Sequence, residues 1–241
     1  MDRIKARLWK SIRAIRWYEW LMAAVMAAIA IRAMILAFRD PAADGNPPWL
    51  TIVNFVSALA GIFCVFFCAK ASVSTHAFGL VNTAAYIVYL WYWKIWGTFA
   101  LETVLYLPMG VIGWIHWARH RDRQQDELTT ARRLNGWQNA ATAAAVAAGT
   151  LICMAVLKQI GGNVIFWDAA TVAIGITATV LQTMRYREQY AWWLVTDMVA
   201  VAMYIEHFDP VYLTKKSIYL IVAVIGLINW IRLSRRNGEN R

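Results

Sequence analysis

The chain has only three cysteines, Cys64, Cys68 and Cys153, and all fall inside apolar runs. They read as small buried hydrophobes, which excludes a disulfide framework or a cysteine metal site. Charge is scarce too: 16% of the 241 residues are charged, against 60% hydrophobic. Such a balance excludes an ordinary soluble domain and fits an all-α integral membrane protein. No HExxH, no glycine-rich phosphate loop and no Cys–His zinc spacing occurs. Nothing therefore calls for a metal, a cofactor or an enzymatic reaction. Three of the four histidines, His76, His120 and His207, lie near expected segment ends, where solvated side chains are expected. A cleavable signal peptide is not evident, because the first apolar run is long enough to span and no small-residue site ends it.

What the chain does have is apolar length. Eight segments approach the roughly 20 residues that a spanning helix needs. They cover 17–38, 49–69, 73–93, 96–118, 138–157, 163–184, 189–207 and 212–232. Fourteen Trp and ten Tyr suit the bilayer interfaces, where amphipathic rings rest at headgroup depth. The formal charge of +10 is distributed unevenly. Assigned to alternate sides, 18 Lys and Arg fall with the amino terminus and five fall opposite, with Lys215 and Lys216 among the five. The positive-inside rule then places both termini and the basic 119–137 loop in the cytoplasm. The charge is topological and not a sign of nucleic-acid binding.

The chain also repeats itself. Val111-Ile112-Gly113-Trp114-Ile115-His116-Trp117 returns as Val224-Ile225-Gly226-Leu227-Ile228-Asn229-Trp230. Phe78 to Asn82 returns more weakly as Trp193 to Asp197, and Asn54, Gly61 and Tyr89 find Asp168, Gly175 and Tyr204. Segments two to four form one copy and six to eight the other, with segment five returning the chain to the starting side. The expectation is two parallel three-helix repeats joined by a linking helix, a 3+1+3 order, plus an extra amino-terminal helix. The corresponding regions are a basic tail 1–16, the extra helix and outer loop 17–48, and a first repeat 49–118. A loop with the linking helix at 119–162, a second repeat 163–232 and a tail 233–241 follow.

Polar groups inside these segments are costly and are candidates for ligand contact. Tyr190, Trp193 and Asp197 share one helical stripe, and two rings with a carboxylate would cage a flat cation. The alternative is interface aromatics plus a helix contact by Asp197. Asn82, the mate of Asp197, could hold a hydroxyl or amide, or bond a neighbouring helix. Asn229, mated with His116, is a similar case. Arg32 snorkels or pairs with a carboxylate. Pro108, Gly113 and Gly226 are candidate flexing points.

These residues resemble the PnuC-type bacterial vitamin transporters, best known for nicotinamide riboside. The resemblance spans roughly residues 50–236. It rests on Gly79-Leu80-Val81-Asn82, the Gly113-Trp114 run ending in Trp117, and Asp168-Ala169-Ala170. The stretch from Glu188 to Tyr204 and the run Gly226 to Trp230 with Arg232 complete it. The resemblance implies SWEET-like three-helix bundles with the site between them. It also implies facilitated diffusion by rocking of the bundles, and often a homotrimer. Two departures stand out: the family's first Trp of the Glu188 stretch is Tyr190 here, and its Asn is Asp197. A carboxylate in place of an amide favours a cation.

The expected partner is therefore a small-molecule vitamin, held in the bacterial inner membrane by Tyr190, Trp192, Trp193, Asp197, Asn82, Asn229 and His116. Thiamine is the alternative cationic vitamin. A ligand-binding sensor that does not transport and a membrane-embedded transferase are the alternatives from other classes.

Overall fold

The computed structural model describes residues 16–40, 45–122, 127–160, 165–206 and 210–239. Among them there is no β-strand. The expected basic tail before Arg16 lies outside the described residues, as does His207.

Among the described residues eight helical stretches follow the eight apolar segments closely. They are α1 (Trp17–Arg39), α2 (Pro48–Ala69), α3 (Ser74–Tyr92), α4 (residues 96–119), α5 (Gly136–Ile160), α6 (Ile165–Thr183), α7 (Gln189–Glu206) and α8 (Pro210–Glu239). Among the described residues five stretches are long and apolar enough to cross a bilayer: α1, α2, residues 98–119 of α4, 136–156 of α5 and 216–236 of α8. Apolar side chains cover much of the surface. Trp17, Val104 and Trp137 are each more than three-quarters exposed. Such a surface suits hydrocarbon, while the helices satisfy their own backbone groups.

The helix α4 is not uniform. Its first turns, Trp96–Leu101, pass into a π turn at Glu102–Tyr106 and then an α-helix at Leu107–Arg119. The Leu107 N–H bonds the Glu102 carbonyl, five residues back. Pro108 explains the break, since its ring crowds the carbonyl four residues earlier and it has no N–H to donate. Widening the preceding turn relieves that clash.

The chain divides into two compact units, Met1–Thr129 and Thr130–Arg241. In the first, α1 packs along α2, α2 pairs most extensively with α3, and α3 packs against α4. Here α1 is fastened by charge. Glu19 accepts from the Arg16 N–H at 2.6 Å and meets the Lys70 ammonium at 2.6 Å. Burial pushes the Lys70 ammonium below its ordinary range, and the adjacent Glu19 carboxylate partly restores it. In the second unit, α5 packs on α6, α6 on α7, and α7 on α8. Gly149 of α5 lets the Ala173 methyl of α6 approach closely.

The two units share local solutions at positions about 114 apart. Ala71 and Arg185, in the α2–α3 and α6–α7 turns, both adopt a left-handed φ, 57° and 65°. The turn of the first unit pairs with residues 127–129. Val73 N–H donates to the Glu127 carbonyl at 3.0 Å, and Thr129 N–H to the Ala71 carbonyl at 2.8 Å. The turn of the second unit pairs with residues 132–134. Arg132 N–H donates to the Arg185 carbonyl at 2.8 Å, and Arg187 N–H to the Arg132 carbonyl at 3.1 Å. The Arg185 guanidinium also bonds the Thr130 carbonyl and hydroxyl. What composition presents as a basic connecting loop is thus a bonded strap, with Thr129 fully buried.

Candidate functional site

Four of the expected ligand residues belong to α7, which opens with Glu188 just before it. Glu188 accepts from the Leu134 N–H at 3.1 Å and from the Arg187 guanidinium at 3.1 Å. Arg187 in turn donates to the Ser234 hydroxyl of α8 at 3.1 Å. The head of α7 is therefore anchored to both the strap and the end of α8. That anchoring fixes the rotation of α7 and so the direction of every side chain along it.

Tyr190, expected to stack on a ligand, is only 4% exposed. Its ring lies over Gly226 of α8, where an added Cβ would come 2.5 Å from ring carbons, and it packs against the buried Trp230. Its role in the structure is to seat α7 on α8. Trp192 and Trp193 remain half-buried and offer the aromatic faces. Asp197 is buried, and it accepts a hydrogen bond from the Lys216 ammonium of α8 at 3.2 Å. By charge count alone Lys216 is an outer-side residue and nothing more. Its position soon after the connection from α7 was the signal that could have brought it to Asp197.

In the first unit the same construction recurs with different chemistry. His76 occupies the place of Tyr190. Its ring crowds Gly113 closely enough to forbid a Cβ, and it meets the fully buried Trp117 edge-on at 4.7 Å. The expectation that His76 is solvated is thus corrected: it is 5% exposed, because it fills the groove at Gly113. The repeat register, which sets His76 opposite Tyr190, carried that information. Gly113 and Gly226, expected as flexing points, are close-approach sites for rings.

Asn82 is half-buried, and its Oδ1 accepts from the Ser57 hydroxyl of α2 at 2.9 Å. Gly61 leaves the room, since a Cβ there would come 3.3 Å from that oxygen. The carbonyl end of the amide is used between helices. Its Nδ2 has no partner among the described residues. His116 is half-buried, one turn from the end of α4, with its ring edge-on to His120 at 4.6 Å. Asn229 is half-buried beside Trp230. The side chains of Asp168 and Tyr204 lie outside the described part. Among the described residues no cluster of His, Cys, Asp and Glu could hold a metal ion.

Comparison with known proteins adds the following. The model of a family described as nicotinamide mononucleotide transporter matches residues 51–232. A nicotinamide riboside transporter PnuC of Neisseria mucosa is 28% identical, with 92% of this chain and 84% of the relative covered. One of the same name from Haemophilus influenzae is 28% identical over 79% of this chain and 82% of the relative. The crystal structure of a vitamin B3 transporter PnuC superposes with a TM-score of 0.71 at 26% identity, covering 95% of this chain and 97% of that one.

Proposed function

The chain belongs to the nicotinamide mononucleotide transporter family, and on that premise we propose that it takes up nicotinamide riboside across the bacterial inner membrane by facilitated diffusion. The match over residues 51–232 carries this reading, together with relatives named for nicotinamide riboside. The riboside is favoured over the mononucleotide by charge. A phosphate would need a basic partner, whereas among the described side chains of α7 the buried charge is the carboxylate of Asp197, and Lys216 is engaged with it. The riboside offers a pyridinium instead.

In this reading Trp192 and Trp193 stack on the pyridinium ring, which combines apolar burial with cation–π attraction. Asp197 faces the ring's charge. The free amide nitrogen of Asn82 donates to the ribose or the carboxamide. Tyr190 seats α7 on α8 over Gly226 at the head of this stripe, and His116 and Asn229 serve as further contacts. All eight helices span the bilayer in a 3+1+3 order, with α2–α4 and α6–α8 as parallel repeats, α5 linking them and α1 extra. The matching left-handed turns at Ala71 and Arg185 and the ring-over-glycine contacts at Gly113 and Gly226 support the repeat. Both termini and the strap face the cytoplasm, and the protein assembles as a homotrimer.

Proteoliposomes containing the purified chain and unlabelled nicotinamide riboside should accumulate labelled riboside transiently by counterflow. Trp193→Ala should weaken binding by about fivefold to a hundredfold, given 1–3 kcal/mol for a stacked ring. Binding without counterflow would make the chain a receptor instead.

A further inference from the structure

Asp197 is 7% exposed and sits halfway along α7. Lys216 reaches it from α8, and the same ammonium lies 5.8 Å from the centroid of the Tyr219 ring. The second oxygen of the carboxylate, Oδ2, accepts no hydrogen bond from any described residue. A cation that enters along Trp193 therefore meets a carboxylate that already has a counter-ion but still has a lone oxygen to offer.

The first repeat has no such pair. In repeat register Asn82 stands for Asp197, and α4 has no lysine where α8 has Lys216; the residues there are Glu102 and Thr103. A lone carboxylate or a lone ammonium in an apolar helix would strand a charge in a low dielectric. The two charges are tolerable only together, so they form one unit.

We infer that Lys216 is the resident occupant of the cation position: it neutralises Asp197 in the empty carrier and yields that carboxylate to the ligand's cationic ring. The inference rests on the transport reading above. Lysine suits the task. It is a single point charge on a flexible stem, whereas arginine would grip the carboxylate with a planar fork. The Lys216 side chain is also the more exposed of the two, 26% against 9% for Asp197, so the ammonium has somewhere to go. The exchange sets affinity as a difference between two ion pairs. The carboxylate selects a cation without holding it with the full strength of a new pair, and a carrier must release what it binds.

The test titrates the purified full-length chain by calorimetry with nicotinamide riboside and with its dihydro form, in which the ring is uncharged. The wild type should prefer the cation. Lys216→Met should raise that preference by about tenfold, equivalent to 1.4 kcal/mol, and Lys216→Arg should not raise it. Asp197→Asn combined with Lys216→Thr removes both charges and should bind both forms equally. Should Lys216→Met fail to fold, Lys216→Gln, which keeps a hydrogen-bond donor to the carboxylate without the charge, takes its place with the same expected rise. An unchanged preference in the Met variant, or a retained preference in the double variant, overturns the inference and leaves transport standing. Binding of neither form by the wild type overturns the transport reading and the inference together.

Discussion

At the scale of single residues, the least expected finding is how aromatic rings are spent. Tyr190 and His76 each lie on a glycine of a neighbouring helix and against a fully buried tryptophan, Trp230 and Trp117. Periodicity alone could place Tyr190 on the stripe of Trp193 and Asp197. It could not say that the groove over Gly226 would claim the ring, because that depends on the distance between α7 and α8. Gly226→Ala should therefore cost about 1–3 kcal/mol through overpacking. Thermal unfolding of the detergent-solubilised chain should show the loss, and an unchanged midpoint would remove the close approach. Lys216 belongs to the same lesson: a residue that marks topology by its charge is also the hydrogen-bond donor to Asp197.

At the scale of elements, helix positions were legible in the sequence and the connections were not. The eight apolar segments and the eight helical stretches differ mostly by a residue or two, since apolar length and helix are nearly equivalent in lipid. The largest difference is α8, which continues past residue 232 to Glu239, with Ser234 bonded to Arg187. The strap could not be read from composition, because its bonds go to backbone groups of two turns far away in sequence. Those turns make opposite predictions. Ala71→Gly should be neutral to slightly stabilising, because glycine relieves a left-handed φ at about 1 kcal/mol. Arg185→Gly relieves the same strain but forfeits the bonds to Thr130, and should lower the unfolding midpoint. Equal effects of the two would show that the strap bonds contribute nothing. A second connection ties α1 to the first unit. Glu19→Gln leaves the Lys70 ammonium half-compensated and should cost about 1–3 kcal/mol. Protease sensitivity before Trp17 should rise with it, while an unaltered digestion pattern would make the ion pair incidental.

At the scale of the whole molecule, the charge bias predicts an orientation that can be measured directly. A reporter inserted between residues 123 and 126 should be active only if that reporter works in the cytoplasm; a periplasmic signal would reverse the 18-to-5 assignment of Lys and Arg. The sequence by itself determined the class, the helices and the family. Each depends on local composition or on residue spacing, and hydrocarbon leaves a chain few alternatives. The tertiary structure decided the rest: which ring of Tyr190 and Trp193 is buried, that His76 is interior, that the basic loop is bonded, and that Asp197 already faces an ammonium. These depend on how closely two helices approach and how each is rotated about its axis. Both follow from side chains, such as a missing Cβ at Gly113 or Gly226, whose effect exists only when a second helix is there to meet them.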